Sequence, residues 1–352
     1  MVPLKASLRG AHKVLDKQNL FTSGEYGYHT FRIPSLLVTR EGTVLAFCEA
    51  RKNGAGDAGE IDVALRRSLD NGDTWEPFEI IAGDGTSTIG NPCPVQDLET
   101  GTIWLVLCRN AGDGHEKDIL AGKRARDVLV MKSDDDGVTW TQPKDITADV
   151  KRAEWTWYAT GPCHAVQLQS GRLIVPCNHA VLNPETGTSG PYTAHVIYSD
   201  DHGANWRIGG IVGQNTNECA LTELPDGSVY INMRSYHGQN QRASAWSLDG
   251  GLTWSDITLN EALIEPVCQG SVVEDRRGGI LFSNPASVKR NNMTVKASVD
   301  GGRSWTTEKE LHEGPAAYSD LAIAKDGTVL CFYECGEESA YERMTMARFS
   351  RI

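Results

Sequence analysis

The residues in this sequence that could do chemistry are polar side chains at or near the ends of apolar segments. Ten of them form the candidate set: Arg32, Glu49, Arg51, Asp57, Glu218, Arg234, Gln269, Arg290, Tyr318 and Glu334. Four of the ten are arginines, whose guanidinium groups stay charged and bind carboxylates through paired hydrogen bonds. Because the chain has a formal net charge of −12, a cluster of arginines within it indicates a specific anion site.

The composition argues against several classes of function. A nucleic-acid partner is disfavoured, because phosphate binding needs a basic face and this chain is acidic. No apolar run approaches the roughly 18 residues needed to cross a membrane. The nine cysteines are irregularly spaced and include no Cys-x-x-Cys pair, so they predict neither a disulfide framework nor a zinc site. We expect buried, reduced thiols and no metal or other cofactor.

The start of the chain does not resemble a signal peptide, since Arg9 interrupts a mixed first segment. We therefore expect a cytoplasmic protein, or a secreted or periplasmic one if a leader was trimmed. The sequence leaves this choice open.

A motif of the form Ser-x-Asp-x-Gly-x-(Thr/Ser/Asn)-Trp recurs five times. The copies span residues 68–75, 133–140, 199–206, 247–254 and 298–305. The Ser and Asp can bond to turn amides, and the Gly suits a left-handed position. We call these segments staple turns and interpret their aspartates as structural rather than catalytic.

A second repeat has six copies, each a turn glycine between two short apolar strands. The glycines are Gly42, Gly101, Gly171, Gly227, Gly278 and Gly327. Four antiparallel strands per unit of roughly 50–70 residues are typical of propeller blades. The sequence thus predicts an all-β, six-bladed β-propeller that forms a single domain over residues 1–352. The sixth unit lacks a staple turn, so we expect the N-terminal residues 13–17 to supply its fourth strand.

The repeat register places the candidate residues on one face of the propeller. Nine residues before three of the turn glycines stand Glu218, Gln269 and Tyr318. The ends of the second strands supply Glu49, Arg234 and Glu334, and the following loops supply Arg51, Asp57 and Arg290. We expect this face to lie opposite the staple turns, so that residues far apart in sequence converge on one mouth.

Several motifs resemble those of the exo-α-sialidases. Phe31-Arg32-Ile33-Pro34 is similar to the family's arginine motif, and the staple turns resemble its Asp boxes. Ala317-Tyr318-Ser319-Asp320 resembles the segment that carries the family's tyrosine. Asn91-Pro-Cys-Pro and Gln269-Gly-Ser also match the family pattern. The resemblance runs from about Phe21 to the C-terminus.

The resemblance implies a role in a retaining hydrolysis for nine of the ten candidate residues, and it implies none for Glu49. Arg32, Arg234 and Arg290 bind the sialic acid carboxylate, and Glu334 holds Arg32. Tyr318 is the nucleophile and Glu218 its base, while Asp57, on a glycine-rich loop, is the general acid and base. Arg51 contacts the 4-hydroxyl side of the sugar, and Gln269 is assigned to substrate binding. For the N-acetyl pocket the candidates are Ile89, Trp155 and Trp157.

The expected partners are sialylated glycans of glycoproteins, glycolipids or oligosaccharides. Three alternatives stay open. One is hydrolysis of a related nonulosonic acid, such as the deaminated form. Another is a catalytically silent propeller that binds sialoglycans, and the third is a structural propeller in a larger assembly.

Overall fold

The computed structural model describes residues 15–351, and these residues form an almost entirely β structure. The first half contains β1 (Asp16–Thr22), β2 (Thr30–Val38), β3 (Val44–Arg51), β4 (Ile61–Ser68), β5 (Glu79–Ala82), β6 (Ser87–Gln96), β7 (Ile103–Ala111), α1 (Glu116–Leu120), β8 (Asp127–Ser133), β9 (Lys144–Asp145), α2 (Thr147–Val150), β10 (Trp155–Thr160), β11 (Val166–Gln167) and β12 (Leu173–Asn183). The second half contains β13 (Thr188–Ser189), β14 (Thr193–Ser199), β15 (Arg207–Gln214), β16 (Thr216–Glu223), β17 (Val229–Ser235), β18 (Gln241–Ser247), β19 (Thr258–Ile264), β20 (Ser271–Glu274), β21 (Ile280–Pro285), β22 (Asn291–Ser298), β23 (Thr306–Ile323), β24 (Val329–Cys335) and β25 (Arg343–Phe349). No helix within residues 15–351 is long and apolar enough to span a membrane.

The described strands form six antiparallel blades, which confirms the six-bladed propeller. The first five blades are β2–β5, β6–β9, β10–β12 with β14 and β15, β16–β19, and β20–β22 with the first part of β23. The long strand β23 then continues into the sixth blade, where its second part pairs with β24. The first strands of neighbouring blades contact one another around the axis, so we call them the inner strands.

The sixth blade is completed by a strand from the beginning of the chain. Strand β1 pairs antiparallel with β25, from Asp16 opposite Arg348 to Thr22 opposite Arg343. The sequence interpretation gave this role to residues 13–17, whereas the strand extends to Thr22. Residues 13 and 14 lie outside the described part of the chain. Phe21 of this strand packs on Phe31 with ring centroids 5.0 Å apart, which joins it to the first blade.

The staple turns form the hydrogen bonds that their residue types favour. In the first copy, Ser68 Oγ donates to Asp70 at 2.8 Å and accepts the Gly72 amide at 2.9 Å. Asp70 also accepts the Thr74 amide at 2.8 Å. The tryptophan that ends such a turn packs between blades, as Trp140 does against Phe47 of the preceding blade. Each turn therefore fixes one hairpin and one inter-blade contact.

A buried carboxylate, Asp320, connects four blades at the axis. Its oxygens accept hydrogen bonds from the Leu36 amide at 2.7 Å and from the His164 amide at 2.9 Å. The Ser271 hydroxyl and the Leu321 amide also donate to it, at 2.5 and 3.0 Å. His164 Nδ1 lies 2.8 Å from the carboxylate. Burial alone would lower the pKa of His164, but the Asp320 charge outweighs it and raises the pKa.

Replacing Asp320 with asparagine should destabilise the ring. The side-chain amide would present N–H groups to donors that now converge on two acceptors, and a buried charge partner of His164 would be lost. We expect the free energy of unfolding to fall by about 3–5 kcal/mol, measured by urea denaturation. The exposed Asp256→Asn is the matched control, expected within about 0.5 kcal/mol of the original protein. Equal effects of the two substitutions would contradict the assigned role of Asp320.

Candidate active site

A polar pocket of about 190 Å³ opens at the axis on the face where the inner strands begin. Eight of the ten candidate residues line it: Arg32, Glu49, Arg51, Asp57, Glu218, Arg234, Arg290 and Tyr318. These residues come from blades one, four, five and six. The convergence expected from the repeat register therefore occurs.

Irregular strand pairing at the mouth aims many of the side chains into the pocket. In five blades the pairing of the inner strand with the second strand shifts near the pocket. The skipped or flanking positions include Arg32, Asn91, Trp157, Glu218 and Tyr318. A bulge of this kind turns a side chain out of the normal alternation of a strand. Each of these five residues lines the pocket.

Arg32 is fixed from behind by the buried carboxylate of Glu334. Arg32 Nε and Nη2 donate to the two oxygens of Glu334 at 3.1 and 3.3 Å. The Ile33 amide donates to the same carboxylate at 2.8 Å, and Ile33 has a positive φ of 64°. A left-handed β-branched residue is strained, so the Glu334 contacts hold a conformation that the chain would otherwise avoid.

Three arginines surround the tyrosine ring. Arg32 and Arg290 place their Cζ atoms 5.1 and 5.6 Å from the Tyr318 ring centroid. Arg234 Nη1 donates to Tyr318 Oη at 3.3 Å. Arg290 donates to the Tyr341 hydroxyl at 2.6 Å, and within residues 15–351 it forms no ion pair with a carboxylate. The three guanidinium groups thus leave room for an anion on the pocket side.

Tyr318 and Glu218 form a short hydrogen bond. Tyr318 Oη donates to Glu218 Oε1 at 2.5 Å, and Glu218 Oε2 accepts from Arg234 Nη1 at 2.8 Å. Burial, reinforced by the Glu218 charge, raises the pKa of Tyr318 well above its usual value. The phenol is therefore neutral at physiological pH, and Glu218 is placed to take its proton.

Asp57 lies on the β3–β4 loop and lines the pocket beside Arg51 and Arg32. Its Oδ1 lies 2.8 Å from Arg51 Nη1 and 3.4 Å from Arg32 Nη1. Partial enclosure by the pocket would raise the pKa of Asp57, but the charges of Arg51 and Arg32 outweigh this effect and lower the pKa. Arg51 is itself buried and donates to Glu49 and to the Ala55 carbonyl. Arg51 thus ties the loop to the strand that carries it.

Two candidate residues stay out of the pocket. Glu334 lies beneath it, as the residue that holds Arg32. Gln269 is fully buried, and its amide bonds to the Pro162 carbonyl at 2.7 Å and to the Ser319 backbone at 3.0 Å. Gln269 therefore lies outside the pocket lining, and its polar atoms bridge three blades next to Tyr318.

Part of the pocket wall consists of residues that were not predicted from the sequence. Arg126, just before β8, donates to Asn91 Oδ1 at 2.6 Å and lies 4.4 Å over the Trp157 ring. Of the three aromatic and apolar candidates, only Trp157 lines the pocket. Trp155 is buried and stacks on His179, and Ile89 is buried. Further lining comes from Glu116, Asn217 and Tyr236.

Known proteins share this sequence pattern and geometry. A profile described as a BNR repeat-like domain matches residues 42–331. Sialidase-3 of Mus musculus is 31% identical over 400 residues, which cover 94% of this chain and 93% of that protein. The chain belongs to the sialidase family.

Other sialidases agree in sequence and in structure. A sialidase of Bacteroides fragilis is 32% identical over 339 residues, which cover 89% of this chain and 61% of that protein. The chain thus spans about three-fifths of this longer relative. The solved structure of Hadza microbial sialidase Hz136 is 29% identical, with a TM-score of 0.84 over 96% of this chain and 68% of that one.

In this member of the sialidase family, Glu334→Gln should destabilise the contacts beneath the pocket that hold Arg32. A glutamine keeps one acceptor oxygen but turns an N–H₂ group toward donors that now bond to Glu334. We expect a loss of about 3–5 kcal/mol in the free energy of unfolding, measured by chemical denaturation. Glu337→Gln, which alters an exposed ion pair with Arg343, is the control and should change stability by less than about 1 kcal/mol. An unchanged stability for Glu334→Gln would contradict this account.

Proposed function

We propose that this protein is an exo-α-sialidase that removes terminal sialic acid from glycans with retention of configuration. The observation that carries the proposal is the 2.5 Å contact between Tyr318 and Glu218 inside a ring of three arginines. Few substrates require both a carboxylate site and a neutral nucleophile. Sialic acid does, because its anomeric carbon bears an ionised carboxylate.

The arginines supply the binding step of the proposal. Glu334 and Glu218 already engage Arg32 and Arg234, whereas Arg290 has a hydroxyl partner. A substrate carboxylate placed among the three guanidinium groups would add the missing negative charge. Paired, charge-assisted hydrogen bonds would also fix the sugar's orientation.

The first chemical step joins Tyr318 to the sugar. An anionic Asp or Glu nucleophile would be repelled by the sugar carboxylate, whereas a neutral phenol would not. As Oη attacks the anomeric carbon, its proton passes to Glu218, which turns a weak nucleophile into an effective one. Asp57 protonates the departing glycosidic oxygen, and the covalent tyrosyl sugar is left.

The second step releases the sugar. Asp57, now a carboxylate, takes a proton from water, and the water oxygen attacks the anomeric carbon as the bond to Tyr318 breaks. Glu218 returns its proton to the phenolate. Two displacements at one carbon restore the starting configuration. The substrates on this proposal are sialylated glycoproteins, glycolipids or oligosaccharides.

The activity is tested by release of a fluorophore from an aryl α-sialoside. We expect turnover by the original protein and a loss of roughly 10²-fold or more in kcat/KM for Tyr318→Phe, because nucleophile and transferable proton are both removed. The control is Tyr198→Phe, which changes a tyrosine that stacks under Arg172 outside the pocket. Absence of turnover in the original protein would refute the hydrolase and favour a silent glycan-binding propeller.

The stereochemical course is tested by proton NMR of the freshly released sugar. A double displacement through Tyr318 gives α-sialic acid as the first product, which then mutarotates to the more stable anomer. Spectra recorded early in a reaction with a high enzyme concentration show which anomer is released, before mutarotation changes it. If β-sialic acid appears first, water attacks directly and Tyr318 forms no covalent intermediate.

A further inference from the structure

The pocket pairs its proposed acid with its proposed carboxylate site. Arg32 gives Nε and Nη2 to Glu334, and its remaining nitrogen, Nη1, lies 3.4 Å from Asp57 Oδ1. The same oxygen lies 2.8 Å from Arg51 Nη1. Asp57 thus holds the pocket-facing nitrogen that an anion bound by the three arginines would need.

This arrangement does not favour the protonation state that a general acid needs. An acid must carry a proton before it can give one to a leaving oxygen, and the neighbours of Asp57 favour its ionised form. The charged groups that face it are Arg51 on β3, Arg32 on β2 and Arg126 before β8, all cationic. The carboxylates of Glu49 and Glu334 lie behind Arg51 and Arg32. Asp57 therefore rests as a carboxylate.

We propose that the substrate's own carboxylate displaces Asp57 from Arg32, and that this exchange lets Asp57 take up the proton it later delivers. The inference rests on the proposed sialidase function. The proton comes from solvent and passes to an Asp57 oxygen, while the substrate carboxylate replaces one anion with another beside Arg32. Arg51 is then the positioning residue that keeps Asp57 near the leaving oxygen.

The local structure makes such an exchange easy. The Asp57 side chain is 63% exposed, and an exposed ion pair is weak. Its loop contains Gly54, Gly56 and Gly59, and a Cβ at any of the three would meet no atom within 4 Å. Arg51 Nη1 also donates to the Ala55 carbonyl at 2.6 Å. The side chain can therefore leave Arg32 while the loop stays anchored to Arg51.

The exchange links ligand binding to protons with a definite sign. The pKa of Asp57 is lowered while it pairs with Arg51 and Arg32, and on this proposal it rises when the substrate carboxylate replaces Asp57 beside Arg32. Binding then takes up protons in the pH window between the two pKa values, so affinity increases as pH falls through that window. Below the lower pKa, Asp57 is protonated in both states and the uptake disappears.

The test is isothermal titration calorimetry with an unsaturated sialic acid analogue, in buffers of different ionisation enthalpy. We expect the original protein to take up as much as about one proton per ligand within the window. Asp57→Asn should abolish the uptake. It should also bind the ligand roughly twofold to fivefold more tightly at neutral pH, because a weak competitor for Arg32 is gone.

Two controls isolate the exchange. Asp113→Asn makes the same charge change at an exposed ion pair with Arg124 and should behave as the original protein does. The methyl ester of the ligand lacks the displacing anion and should bind without proton uptake.

The outcomes separate this inference from the function on which it rests. If the carboxylate ligand binds the original protein without proton uptake, or binds Asp57→Asn more weakly, the exchange is overturned and the carboxylate site stands. The same uptake with the methyl ester would also overturn it. If no variant binds the ligand, the proposed function itself fails, and the exchange fails with it.

Discussion

The need to satisfy one buried carboxylate shapes this site. Glu334 is fully buried, and it accepts from the Arg32 side chain and from the Ile33 and Tyr318 amides. An unpaired charge in this position would be very unfavourable, so blades one and six can meet only where all these donors converge. The same contacts set the distance between Arg32, the proposed carboxylate-binding arginine, and Tyr318, the proposed nucleophile. The contacts that join blades one and six therefore also set the geometry of the proposed active site. Asp320 is a second buried carboxylate on which donors from several blades converge, further along the axis.

Charge in the pocket is arranged in two layers. Carboxylates hold Arg32 and Arg51 from behind, as Glu334 and Glu49 do, and a hydroxyl holds Arg290. These contacts fix the cations in place, and on the pocket side the exposed Asp57 carboxylate contacts Arg32 and Arg51. An acidic protein can thus present a cluster of arginines in its pocket, because buried carboxylates beneath Arg32 and Arg51 hold these cations in place.

Repeat counting predicted the parts of the fold that depend on turn chemistry. The turn glycines and staple turns gave the number of blades, and their register put Glu218 and Tyr318 on the same face. The residues that it misplaced depend on local pairing instead. Gln269 shares the register of Glu218 and Tyr318, but the inner strand of its blade pairs regularly from Ser271 to Glu274, and no bulge turns its side chain outward. Residues such as Arg126 depend on contacts between blades, which a count along one blade cannot reveal. The fourth strand of the last blade could be expected, but not its extent, because β1 lies outside both repeats and so has no register from which to count its ends.

In the proposed mechanism, Arg234 would do more than bind the substrate carboxylate. Its Nη1 lies 2.8 Å from Glu218 and 3.3 Å from the Tyr318 hydroxyl. When a proton passes from Tyr318 to Glu218, negative charge moves in the opposite direction, from the carboxylate to the phenolic oxygen. A cation in contact with both atoms stabilises the charge before and after this shift, so little reorganisation is needed during the transfer. Burial raises the pKa of the phenol, and Arg234 opposes that effect at the oxygen itself. The buried tyrosine is thus kept neutral at rest, and the negative charge that would develop on its oxygen during the proposed attack would lie next to a cation already in place.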